Sequence, residues 1–77
     1  MNQTSLLSFL EEVIASASDQ EKITLTIEDN VDTVLGWDSL VTVSIAAAIT
    51  EEFNIQLTMD DFGNLTSVKS ILEIVSK

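Results

Sequence analysis

Few residues in this chain are equipped for chemistry, and the absences narrow the field first. Its 77 residues include no Cys and no His, which removes the most reactive protein nucleophile and the commonest general base at neutral pH. Disulfides and the usual zinc or iron ligand sets go with them. Hydroxyls remain, and among nine serines Ser39 is set apart by position. In Gly36-Trp37-Asp38-Ser39-Leu40 it falls where a long polar stretch gives way to an apolar run. A hydrolase elbow, Gly-x-Ser-x-Gly, would need glycine where Trp37 and Val41 stand. The acidic stretch from Glu28 to Asp32 lacks the order of a calcium-binding loop and the Glu that closes one. These residues therefore give no metal site and no catalytic residue. The plain reading of Asp38-Ser39 is a helix N-cap, which either residue makes well without any further function.

The elements that must hold this dipeptide are legible in the apolar spacing. Leu6, Leu7, Phe9, Leu10, Val13, Ile14 and Ala17 recur at helical intervals and predict a first amphipathic helix. From Ser18 to Trp37 acidic residues alternate with isolated apolar anchors, which predicts a long ordered loop. Ile23, Leu25 and Ile27 alternate as a strand would, but no second run of this kind offers a partner. A second helix opens at Asp38-Ser39-Leu40 and runs to about Phe53, with Leu40, Val43, Ile45, Ala46, Ala47 and Ile49 as its apolar positions. Met59 to Phe62 predicts one short helical turn stopped at Gly63-Asn64. Val68, Ile71, Leu72 and Val75 predict a last helix capped by Thr66 or Ser67. The expected fold is all-α: a four-helix bundle with three main helices, one short helix and a long loop between the first two.

Length and charge bound the rest. A single domain over residues 1–77 is expected, held by packing alone. No apolar run approaches the roughly 20 residues that cross a bilayer, and the N-terminus lacks the basic start of a secretory signal, so the reading is cytoplasmic. Thirteen acidic residues against three lysines give a net charge of −10. Nucleic acid and anionic membranes would be repelled by such a surface, and a monomer that meets basic patches on partner proteins is expected.

Beyond the dipeptide, the order of features resembles the acyl carrier protein family. Asp38-Ser39-Leu40 matches its Asp-Ser-Leu signature, and Val43, Glu51-Glu52-Phe53, Phe62 and Leu65-Thr66-Ser67-Val68 follow in the family's order over most of the chain. The resemblance implies that a phosphopantetheinyl transferase moves 4'-phosphopantetheine from coenzyme A to the Ser39 hydroxyl, where Asp38 would assist docking or orientation of the transferase and Leu40 would serve either the core or the docking surface. Acyl groups would travel as thioesters on that arm, which supplies the thiol the sequence lacks and raises their local concentration at each partner. The protein itself would catalyse nothing. Partners implied are acyl-transferring, ketosynthase or acyl-activating enzymes of a fatty acid, polyketide or related pathway. An aminoacyl or peptidyl cargo is the alternative, and an acidic helical adaptor in which Ser39 is only a cap is the alternative of another class.

The sequence also departs from the family. In carriers of bacterial fatty acid synthesis acidic residues are usual where Val41, Ser44 and Thr50 stand here. Glu51 and Glu52 remain for electrostatic docking, while an exposed Val41, with Ser44 and Trp37 nearby, would make a more apolar patch. Trp37 has a second reading, in which it packs on the bundle. This pattern resembles carriers of specialised acyl pathways. The resemblance further implies an acyl pocket beside the second helix, for which Ala47, Ile49, Phe53, Leu65 and Ile71 are the candidates. An ordinary closed core would use the same residues. Bulky Ile71, where small residues are common, implies limited room for long chains.

Overall fold

In the computed structural model, residues 2–76 are described; Met1 and Lys77, the ends of the expected domain, lie outside the described residues. Four helices follow in order: α1 (Gln3–Ala17), α2 (Ser39–Phe53), α3 (Met59–Gly63) and α4 (Val68–Val75). Each starts at a side chain that replaces a missing carbonyl. Asn2, Asp38, Thr58 and Ser67 accept from the backbone N–H three residues on. In α3, Asp61 returns the bond to the Thr58 N–H and completes a capping box. α2 ends at Asn54 in the left-handed conformation, φ 53°.

The core is one cluster. α1 contributes Leu6, Leu10 and Ile14, α2 contributes Val41, Ile45, Ala46 and Ile49, and α4 contributes Val68, Ile71 and Ile74, with Leu25, Trp37 and Leu65 from the connections. None of the α3 residues is buried, so this short helix rides on the surface. The sequence reading had the phase of α2 partly reversed. Leu40 and Val43 point outward and Val41 points inward. Nearly every position of SLVTVSIAAAIT is apolar or small, so the pattern gives a helix without saying which stripe faces the core.

The expected loop is ordered, and no strand forms among the described residues; the only pairing of that kind is the isolated bridge between Asn30 and Ser67. Leu25 is buried, Thr24 and Thr26 are exposed, and the Leu25 N–H donates to the Glu11 carboxylate of α1 at 2.7 Å. Side-chain anchoring thus replaces strand pairing. Further on, the Val31 N–H donates to the Thr66 carbonyl and the Val68 N–H donates to the Asp29 carbonyl, both at 3.0 Å, tying the loop to the start of α4. The last bend turns at Gly36, φ +91°, where a Cβ would lie 2.6 Å from the Gln20 amide nitrogen. That nitrogen donates to the Leu35 carbonyl, and a Cβ would displace it; the positive φ is what calls for glycine here.

Candidate functional site

Asp38 is the residue on which the site is built. Its backbone is extended, φ −124° and ψ −168°, and its Oδ1 accepts the Val41 N–H at 3.0 Å. Its carbonyl begins the helix ladder by accepting the Thr42 N–H at 2.9 Å. Ser39 is the first helical residue. It is exposed, and among the described residues no hydrogen bond engages its hydroxyl. The N–H groups of Ser39 and Leu40 have no carbonyl behind them in the helix. The plain reading is therefore half right: Asp38 is the cap, which leaves the Ser39 hydroxyl unused. An open groove of roughly 480 Å³ runs past it, lined by Val31, Asp32, Trp37, Asp38, Thr42, Phe62 and Thr66.

The expected docking residues are not on one surface. Trp37 and Val41, read as exposed candidates, are 4% and 2% exposed and belong to the core. The packing reading of Trp37 is the one the structure supports, because the bend at Gly36 turns the indole back onto α2, where its N–H donates to the Thr42 hydroxyl at 3.2 Å. Ser44 and Glu52 line a groove against Phe9, Glu12 and Val13 of α1. Glu51 lies on another groove, with Val43, Ala47, Leu57 and Phe62. Exposed apolar side chains beside Ser39 include Leu40, for which the sequence reading left core and docking surface both open, and Phe62, which lines the same groove as Ser39. Leu40 is 78% exposed, Met59 89%, and Val43 and Phe62 about half. Between Ser39 and Thr50 there is no charged residue.

The acyl-pocket candidates are also dispersed. Ile49, Leu65 and Ile71 are completely buried in the closed core. Phe53 stacks edge-on against Phe9, with ring centres 5.4 Å apart, and Ala47 is on the outer groove beside Phe62. The five do not line a common opening.

Residues 8–75 match the family described as a phosphopantetheine attachment site. An acyl carrier protein of Buchnera aphidicola is 44% identical over 61 residues, covering 75% of this chain and 72% of the relative. One from Syntrophobacter fumaroxidans is 32% identical over 66 residues, covering 86% and 82%. One from Guillardia theta is 27% identical over 77 residues, covering 100% and 95%. The residues around Ser39 fit the group this family carries. An exposed, unbonded hydroxyl can take a phosphodiester, and the open N–H groups and positive end of α2 favour a negative charge there. The nearest carboxylate, Asp38, is already engaged by the Val41 N–H. These matches overturn the adaptor alternative. The chain belongs to the acyl carrier protein family and is a carrier with covalently attached 4'-phosphopantetheine, not an enzyme.

Proposed function

We propose that Ser39 is the attachment point and that the chain delivers acyl groups from there to the enzymes of a specialised pathway, polyketide or related. One observation carries the site: of the Asp38-Ser39 pair, Asp38 takes the capping role through Val41 and leaves the Ser39 hydroxyl exposed without a partner. When bound, the arm supplies a terminal thiol that holds the acyl group as a thioester. The chain's own part is to present Ser39 on the rigid first turn of α2, to keep Asp38 oriented beside it, and to offer partners a surface.

That surface is where the specialised reading finds its support. Leu40, Val43 and Phe62 give the face near Ser39 exposed apolar side chains, and charge enters around them from Asp32, Asp38, Glu51 and the Asp60-Asp61 pair of α3. Transferases, ketosynthases or acyl-activating enzymes with apolar docking patches and a few basic rim residues are the complementary partners. A second copy of this chain is a poor one, since each carries a net charge of −10.

The test is intact mass after incubation with coenzyme A and a broad-specificity phosphopantetheinyl transferase. One phosphopantetheine is expected on the wild type and none on Ser39→Ala. Modification of the Ser39→Ala variant would move the site to another hydroxyl and refute the assignment.

A further inference from the structure

The buried indole beside Ser39 is bonded in a way that bears on how the serine is aimed. The Trp37 Nε1–H donates to Thr42 Oγ1 at 3.2 Å, and Thr42 Oγ1–H donates onward to the Asp38 carbonyl at 3.0 Å. That carbonyl also takes the Thr42 N–H at 2.9 Å, so both of its lone pairs are engaged. It belongs to the peptide unit that carries the Ser39 N–H, and a peptide unit is planar. Fixing the direction of the Asp38 oxygen therefore fixes the plane from which Ser39 departs. Nothing else in the described residues holds the Ser39 side chain, which is exposed and makes no hydrogen bond.

We propose that Trp37 and Thr42 are positioning residues for attachment at Ser39: their hydrogen-bond relay holds the Asp38–Ser39 peptide plane and sets the direction in which the hydroxyl meets the transferase. The inference rests on Ser39 being the attachment point. A threonine hydroxyl bonded four residues back is common in helices, and a buried indole N–H ordinarily finds a partner. What distinguishes this pair is that the two bonds are in series and end on the peptide of the reacting residue. Trp37, Thr42, Asp38 and Ser39 also line one groove, so the relay forms the wall beside the hydroxyl.

The experiment is steady-state modification by the transferase and coenzyme A with the full chain. Thr42→Val keeps the side-chain shape and loses the hydroxyl, Thr42→Ser keeps the hydroxyl, and Trp37→Phe loses the indole N–H. Misaimed reacting groups lower the rate of the chemical step. Thr42→Val is expected to lower kcat about tenfold with KM changed less than about twofold. Thr42→Ser should recover most of the rate, and Trp37→Phe should fall between. A Thr42→Val variant that is folded and modified at the wild-type kcat overturns the proposal, as does a Thr42→Ser variant equally impaired. Hydrogen exchange of the Trp37 Nε1–H in the wild type supplies a reading that needs no variant: slow exchange supports the relay, and exchange at the rate of a free indole refutes it. If the wild type accepts no phosphopantetheine, the attachment assignment falls and takes this inference with it. Normal wild-type modification with an unaffected Thr42→Val removes this inference alone.

Discussion

Two turns of the same connection each place an aspartate at a bend, and they use it in opposite ways. At Asp29, Oδ2 accepts the Thr26 N–H at 2.8 Å and Oδ1 accepts the Thr33 hydroxyl at 2.9 Å, while the backbone carbonyl takes the Val68 N–H. The Thr26 and Thr33 bonds hold its carboxyl below the ordinary value of 3.8. This turn is closed on itself: both carboxylate oxygens are occupied within the loop, by Thr26 and Thr33, while the backbone carbonyl ties it to α4. At Asp38 the carboxylate has a single backbone partner, and the residue after it projects an unbonded hydroxyl. The rigidity of that second turn comes from behind, through Trp37 and Thr42. A turn that anchors satisfies its own polar groups, whereas a turn that presents a reactive group leaves one polar group over and is stiffened by its neighbours.

The largest expected consequence of this contrast is at Trp37. If the indole stiffens the second turn from inside the core, Trp37→Ala should cost about 3–5 kcal/mol, as large core truncations do. That is a substantial part of the stability of so small a domain. Urea or thermal denaturation followed by far-UV circular dichroism checks it, and an unchanged midpoint would return Trp37 to the surface role that the sequence left open.

Asp38→Ala should cost about 1 kcal/mol through the lost cap and should also slow phosphopantetheine attachment. Stability and modification rate would thus fall together. Retention of the full rate with a lower melting temperature would show that Asp38 is only a cap.

The smallest effect is expected at the anchoring turn, where Asp29→Asn keeps one acceptor oxygen and loses the charge. The folded-state pKa of Asp29 lies below its unfolded value. Its stabilisation is therefore complete above the unfolded value and disappears as pH falls through the folded one. Asp29→Asn should melt below the wild type at neutral pH and converge with it in acid, with attachment at Ser39 unaffected. A loss that persists unchanged to low pH would assign the effect to geometry and not to charge.

Much of this was readable from residue types and spacing. The helical intervals of α1 and α4, the acidic loop and the Asp-Ser-Leu junction each specify themselves locally, because one apolar stripe or one capping side chain is enough to define them. The side assignment within α2 was not readable. With apolar residues on all faces, the choice of Val41, Ile45 and Ile49 as the buried stripe depends on where α1 and the indole of Trp37 meet the helix. For the same reason Leu40 and Val43 could not be recognised as the exposed pair. Thr42 carried no signal beyond its distance of four residues from Asp38, which becomes a relay only when the bend at Gly36 brings the indole alongside.

The sequence by itself determined that the chain has no thiol or imidazole of its own, that it is strongly acidic, that it is helical, and that a helix opens at Asp38-Ser39 with either residue able to cap it. Those properties follow from composition and from interactions within a few residues. Tertiary structure decided which face of α2 is buried and which is exposed, that Trp37 packs in the core, and that Ile49, Leu65 and Ile71 are enclosed there with it. Each of these depends on contacts between segments distant in the chain, and the free energy of burial that selects among them exists only once the helices pack.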